Sequence, residues 1–413
     1  MDAVGARRVI ERAIADREVA DVLAGRGLHV IAVGKAAAAM AAAFVAIPHL
    51  AIQQAIAIGT HEHAGLPSAV EWIESSHPFP DSRSETAGNR AIAVAERVHS
   101  GEALVILLSG GASALMASPV DGISLADKID TTRRMMAAGA DIHALNTVRR
   151  HLSRVKGGRL AAACAGTALT LAISDVVGDD LHAIGSGPGV PDTTTWSDAA
   201  AALGRFGGDA HSDRVRRVIR AGVAGGVPDT PKPGDPSLAR ATARVIGSRI
   251  DAMAGARAAA IERGYRPFVI TEPITGEART AGPAWFDRAR TLIGSSPRQV
   301  CVISSGETTV RVTGTGTGGR SLEFALSIAD AIASMPRGAA ASFGTDGIDG
   351  SSGVAGGIVD STTMTRAARA GLAPPGNYLA ANDSLAFFAP LDDVVRLGRT
   401  DTNVGDLQVL LID

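Results

Sequence analysis

The sequence predicts an α/β protein of two domains built on largely parallel sheets. Three observations carry this. At 413 residues the chain exceeds what one hydrophobic core usually organises. Short apolar runs alternate with Ala-rich helical stretches: LHVIAVG (Leu28 to Gly34) precedes KAAAAMAAAF, and ALVILLSG (Ala103 to Gly110) precedes GASALM. Most of these runs end in Gly, Ser, Thr or Asp, which places polar loops at the carboxyl edge where open α/β sheets bind ligands.

Met1 to Ala24 mixes charged and apolar residues as an amphipathic helix does, not as a signal peptide does. Further strands are expected at Ala168 to Asp175, Arg244 to Ser248, Arg266 to Thr271, Gln299 to Gly306 and Ala339 to Asp346. TTVRVTG (Thr308 to Gly314) alternates with period two just after its neighbour, which predicts an antiparallel β-hairpin strand. GGVPDTPKPGD (Gly225 to Asp235) concentrates Pro, Gly and Asp without periodicity and marks a boundary between domains at 1–230 and 236–413.

Composition narrows the function. With 40 basic and 42 acidic residues interspersed, no basic face is set aside for nucleic acid. The most apolar stretch, Ala36 to Ile47, is too short to span a membrane. Cys164 and Cys301 stand alone, which fits a reducing cytoplasm better than a disulfide framework or a zinc site. His61 and His63 lack a third ligand at recognisable spacing, so no metal is assigned to histidine.

Four segments could carry chemistry. Gly34-Lys35 joins a buried strand to an Ala-rich helix, where a lysine adds a mobile charge to an anion-attracting helix start; an ordinary solvated lysine is the alternative. The pattern is neither a Walker A loop nor a dinucleotide fingerprint. Ser109-Gly110-Gly111-Ala112-Ser113 follows the next strand, its glycines allowing close backbone approach to an oxyanion and its serines offering hydroxyls, although a plain βα turn has similar composition. Gly314 to Arg320 holds four glycines in six residues, among them Gly316, Gly318 and Gly319. Each costs roughly 0.5–1 kcal/mol against alanine, so a ligand or a strained turn should compensate. Arg320 then opposes the dipole of the helix it begins unless an anion is present. The fourth segment is a set of carboxylates on loops: Asp175, Asp346, Asp349 and Asp383. Singly they read as turn or cap residues, but together with three anion-friendly loops they supply a base or hold Mg²⁺.

In order along the chain, VGKAA, HPFPD, SGGASALM, LNTVRRHLSRVKGGRLA, SDVVGDD, SGPGVPD, SSGETTV, GGRSLE, GTDGIDG, ANDS and TNVGDL resemble the glycerate 2-kinases that join an N-terminal glycerate-kinase domain to a C-terminal MOFRL domain. The resemblance implies a larger Rossmann-like domain, a smaller α/β domain and an active site in the cleft between them. It implies ATP- and Mg²⁺-dependent conversion of D-glycerate to 2-phosphoglycerate in the cytoplasm. Lys35, Asp175 and Arg320 would be catalytic. Ser109, Gly110, Gly111, Ser113, Gly316, Gly318, Gly319, Asp346, Asp349 and Asn382 would contact substrate or phosphate, with Asp175 and Asp346 as metal candidates. The partners would be ATP and a small hydroxy acid, with neither nucleic acid nor membrane, and a homodimer is compatible with the sequence. Ser321 and Leu322 replace the family's Asn and Gln, which leaves room for a related acceptor such as a tetronate. The family also carries the label hydroxypyruvate reductase, but the missing dinucleotide fingerprint argues against NAD(P)-dependent hydride transfer.

Overall fold

The computed structural model describes residues 1–60, 65–294 and 299–413, so His61 and His63 lie outside the described residues. The chain divides into two compact units, Ala6–Ile246 and Met1–Gly5 with Gly247–Asp413. The division falls beyond the Pro- and Gly-rich stretch at 225–235 because the strand after that stretch still belongs to the first sheet.

The N-terminal unit holds six strands: β1 (Gly27–Val33), β2 (Ala51–Gly59), β3 (Val70–Glu74), β4 (Ala103–Leu108), β5 (Thr167–Ile173) and β6 (Ala241–Gly247). Their order is β3-β2-β1-β4-β5-β6, and the pairs β2–β3, β1–β2, β1–β4 and β4–β5 are parallel. β4 is buried throughout its length, as a strand covered on both faces must be. The order reverses between β1 and β4, and such a switch point opens a crevice at the carboxyl edge in a doubly wound sheet. At its start the unit has two short helices, Ala6–Ala15 and Arg17–Leu23, in place of one amphipathic helix. Asp16 breaks them apart by accepting the backbone N–H groups of Glu18 and Val19.

The C-terminal unit is built on β7 (Arg266–Val269), β8 (Ile274–Glu277), β9 (Val300–Thr309), β10 (Gly338–Gly344), β11 (Gly356–Asp360), β12 (Val394–Val395) and β13 (Asp406–Ile412). This sheet is mixed: β9 runs parallel to β7 and β8 but antiparallel to β13, and β10 is antiparallel to both β11 and β13. The hairpin expected at Thr308 to Gly314 does not form. Thr308 and Thr309 simply end β9, because Gly306 is no turn residue. It lies where β8 crosses so closely that a Cβ would overlap the Ile274 backbone. The hairpin of this unit is β10–β11.

Candidate functional site

In the N-terminal unit the exits of β1 and β4 are tied together at the switch point. Gly34 leaves β1 at φ 130°, and a Cβ there would overlap Ser109 Oγ. Lys35 N donates to Gly110 O at 2.9 Å, and Ala36 N donates to Ser109 Oγ at 3.1 Å. Ser109 is fully buried, so its hydroxyl fixes the neighbouring loop. Gly111 is left-handed (φ 85°), and a Cβ there would lie 3.1 Å from His77 Cδ2 and 3.6 Å from Lys35 Cγ. Lys35 itself is exposed. The helix after Gly111 is a single turn, Ala112–Leu115, so the loop's contribution is its backbone and hydroxyls, not a helix dipole.

Ser113 Oγ lies 2.7 Å from Ser186 Oγ, and Ser186 donates its proton to Asn146 Oδ1 at 3.1 Å, which leaves Ser113 as the donor of the pair. Lys156 Nζ donates to Ser113 O at 3.1 Å and to Gly185 O at 3.3 Å. Asp175 follows β5 by two residues and is half-buried. As β1, β4 and β5 are parallel, it stands on the same sheet edge as Lys35 and Ser109.

In the C-terminal unit Arg320 opens the helix Arg320–Ser327. Its Nη1 donates to Glu307 Oε1 at 2.7 Å and its Nη2 to Asp406 Oδ1 at 3.0 Å, while Nε lies 2.7 Å from Asp406 Oδ2. Burial works against the guanidinium charge, but Asp406 and Glu307 outweigh it and hold its pKa above the ordinary value. Burial pushes the Asp406 carboxyl up to about 6 against the pull of Arg320, with Glu307 and Asp346 adding to the rise. Asp346 is half-buried beside this cluster; a Cβ on Gly344 would lie 3.2 Å from Asp346 Oδ1 and 3.7 Å from Asp406 Oδ1.

Three sequence-derived contacts acquire internal explanations. Asp349 accepts the N–H groups of Ser321 (3.0 Å) and Leu322 (2.8 Å), so this buried carboxylate caps the Arg320 helix from a distant loop. Its pKa is pushed up to about 7, chiefly by burial. The anion expected at that helix start is thus a side chain of the protein. None of the glycines at 314, 316, 318 and 319 is left-handed. They lie where a Cβ would overlap Ala381 O, Asp383, Ser384 Oγ and the Asp349 carboxylate respectively, so close packing accounts for their cost. Asn382 uses its full hydrogen-bonding capacity within the protein: Oδ1 accepts from Thr313 N (2.8 Å) and Gly314 N (2.9 Å), and Nδ2 donates to Arg311 O (3.2 Å) and buried Glu323 (2.7 Å). Asp383 likewise accepts Thr317 N.

Asn382→Ala should therefore act on stability, lowering it by about 2–4 kcal/mol by stranding the amides of Thr313 and Gly314 and leaving Arg279 as the remaining partner of buried Glu323. Thermal unfolding measures this, and an unchanged Tm would return Asn382 to a role at ligand.

Ser321 and Leu322 are wholly buried, Leu322 in the hydrophobic core, so the departure from the family pattern falls in packing and not on an open surface. Sequence reasoning did not single out Glu307, Asp406, Asn146, Ser186 or Lys156. All five stand inside the segments SSGETTV, TNVGDL, LNTVRRHLSRVKGGRLA and SGPGVPD, but nothing in their spacing distinguishes them from their neighbours.

Residues 1–220 match the model of a domain of unknown function, DUF4147, and residues 300–406 match the MOFRL family. A D-glycerate 2-kinase of Thermotoga maritima is 34% identical over 98% of this chain and 96% of its own. The chain belongs to the glycerate kinase family. The crystal structure of a Thermotoga maritima glycerate kinase superposes with a TM-score of 0.86 over 100% of this chain and 96% of the other, at 33% identity. A relative from Agrobacterium vitis, 38% identical over 93% of this chain and 86% of its own, bears the name hydroxypyruvate reductase. As a member of the glycerate kinase family the chain has a switch point whose first βα turn, Gly34-Lys35-Ala36, lacks the glycines that let a backbone cradle a dinucleotide pyrophosphate.

Proposed function

We propose that this protein transfers the γ-phosphoryl group of ATP to the 2-hydroxyl of D-glycerate, forming 2-phosphoglycerate and ADP. The observation that carries this reading is the likeness to glycerate kinases along essentially the whole chain, with Lys35 and the Ser109–Ser113 loop joined at the sheet's switch point. The acceptor oxygen forms the new bond to phosphorus, the bond to the β-phosphate bridging oxygen breaks, and Asp175 accepts the hydroxyl proton. Lys35 and the amides around Gly110 and Gly111 stabilise anionic oxygens, and Arg320 stabilises charge on the transferring group.

Among the described residues no group of three or more His, Cys, Asp or Glu side chains is arranged to hold a metal ion. Mg²⁺ does not need one, since it is usually bound by one or two carboxylates together with substrate phosphates. Asp175 in the N-terminal unit, or Asp346, half-buried beside Asp406 in the C-terminal unit, is the carboxylate that would hold it. Bound there, the ion would neutralise phosphate charge. A cytoplasmic setting, where ATP is supplied, follows from this reading. Among the described residues no helix is long and apolar enough to cross a membrane.

Phosphorus NMR of a mixture of protein, ATP, Mg²⁺ and D-glycerate should show 2-phosphoglycerate growing with ADP; ADP with inorganic phosphate alone, or no turnover, would overturn the reading. Lys35→Met keeps the stem and removes the charge of an exposed side chain. It should lower kcat by roughly 10²-fold with little change in Tm, and a wild-type kcat would leave Lys35 on the solvated surface.

A further inference from the structure

Buried cations elsewhere in the N-terminal unit have carboxylate partners. Arg150 Nε lies 3.0 Å from Asp192, and Arg159 is favoured by Asp229 and Asp192. Three other cations depart from this pattern. Lys128, on the helix Leu125–Ala137, is 6% exposed, and its Nζ makes no hydrogen bond among the described residues. Lys156 is 1% exposed and spends two of its three N–H groups on the carbonyls of Ser113 and Gly185. Arg149, half-buried on the helix Ile142–His151, is lowered in pKa by burial, and among the described residues no carboxylate pairs with it. The three lie close enough to repel one another, and Glu85 is the carboxylate that acts on Lys128. Among the described residues no hydrogen-bond acceptor meets the buried Lys128 Nζ, and an arriving anion would supply one.

We propose that Lys128, Arg149 and Lys156 form an anion subsite that takes the carboxylate of the acid substrate. The inference rests on the reading that Lys35 and the Ser109–Ser113 loop hold that substrate. Lys156 sits against the same loop through Ser113 O, and Asn146, three residues before Arg149 on one helix face, anchors the Ser186–Ser113 hydroxyl pair. The subsite is therefore continuous with the loop that adjoins Lys35. On the proposed reading Lys35 and Arg320 take phosphoryl oxygens, which leaves the carboxylate as the anionic end for this cluster. Without a ligand the Lys128 ammonium is pushed down to about 7, by burial first and then by Arg149, with Glu85 pulling the other way; Lys156 is lowered well below its ordinary value by burial, Lys128 and Arg149. A carboxylate arriving here favours the charged amines and so takes up a proton from solution near neutral pH.

Isothermal titration of wild-type protein with sodium D-glycerate at pH 7.5, in two buffers of different ionisation enthalpy, should show net proton uptake. Lys128→Met should bind D-glycerate at least about tenfold more weakly, with less of that uptake, because it removes one of three charged contacts and leaves Lys156 as the amine that takes up a proton. Its Tm without ligand should equal or exceed that of the wild type, since a buried unpaired amine is replaced by an apolar chain. Equal affinity and equal uptake in the variant would overturn the subsite, as would tight binding of inorganic phosphate to a protein that does not bind glycerate. If wild-type protein makes 2-phosphoglycerate while Lys128→Met binds glycerate unchanged, the subsite falls and the kinase reading stands. If no phosphorylated glycerate forms, the kinase reading falls, and the two glycerate affinities still decide the subsite.

Discussion

Arg320→Lys should lower kcat/KM for D-glycerate by roughly 10²-fold or more, with the loss concentrated in kcat. The guanidinium has five N–H groups, and three of them face Glu307 Oε1 and the two oxygens of Asp406. One hydrogen on each terminal nitrogen remains to donate to oxygens of a transferring phosphoryl group. Asp406 is held in the sheet by β13 and is nearly inaccessible, so the fork is oriented before any substrate arrives. Lysine can satisfy one carboxylate or reach one phosphoryl oxygen but cannot reproduce the planar fork. The division between constants is informative, because a group that only gripped the acceptor's carboxylate would mainly raise KM. Steady-state kinetics with ADP production as readout settle it, and an undiminished kcat would remove Arg320 from the transition state.

The strands expected from apolar runs are all present, because runs such as ALVILL have no stable place other than a covered sheet. Among the strands the reading did not name, β2, β3, β8, β11, β12 and β13, β2 was hidden because Gln53 and Gln54 interrupt its apolar start, and β12 because two residues give no pattern. The hairpin at Thr308 failed for a different reason: Gly306 followed by a polar residue signals a turn as readily as it signals a place where another strand presses close. The same ambiguity governed the glycines from 314 to 319. Their cost was legible and their cause was not, since a missing Cβ serves a neighbouring loop as well as a phosphate. Lys35, Asp175 and Arg320 drew notice in the sequence because each lies just after an apolar run or at the start of a helical pattern. Lys128 and Asp406 were not, because what distinguishes them is burial and the identity of distant neighbours.

Asp175→Asn is expected to have the largest effect, lowering kcat by about 10²–10⁴-fold while leaving D-glycerate affinity within a few-fold of wild type. A 2-hydroxyl is a weak nucleophile at neutral pH, and its proton must leave as the bond to phosphorus forms. Asp175 is the carboxylate on the loop after β5, next in the sheet to the strand that delivers the Ser109–Ser113 loop, and it is only half-buried, so it remains open to substrate. Asparagine keeps the shape and one acceptor oxygen, enough to orient the hydroxyl, but cannot take its proton. Binding and chemistry should therefore separate: isothermal titration should find glycerate bound, single-turnover experiments should find the phosphoryl step slow, and the acid limb of the kcat–pH profile should vanish with the carboxylate that produces it. A variant that keeps its kcat and its acid limb would show that another group takes the proton.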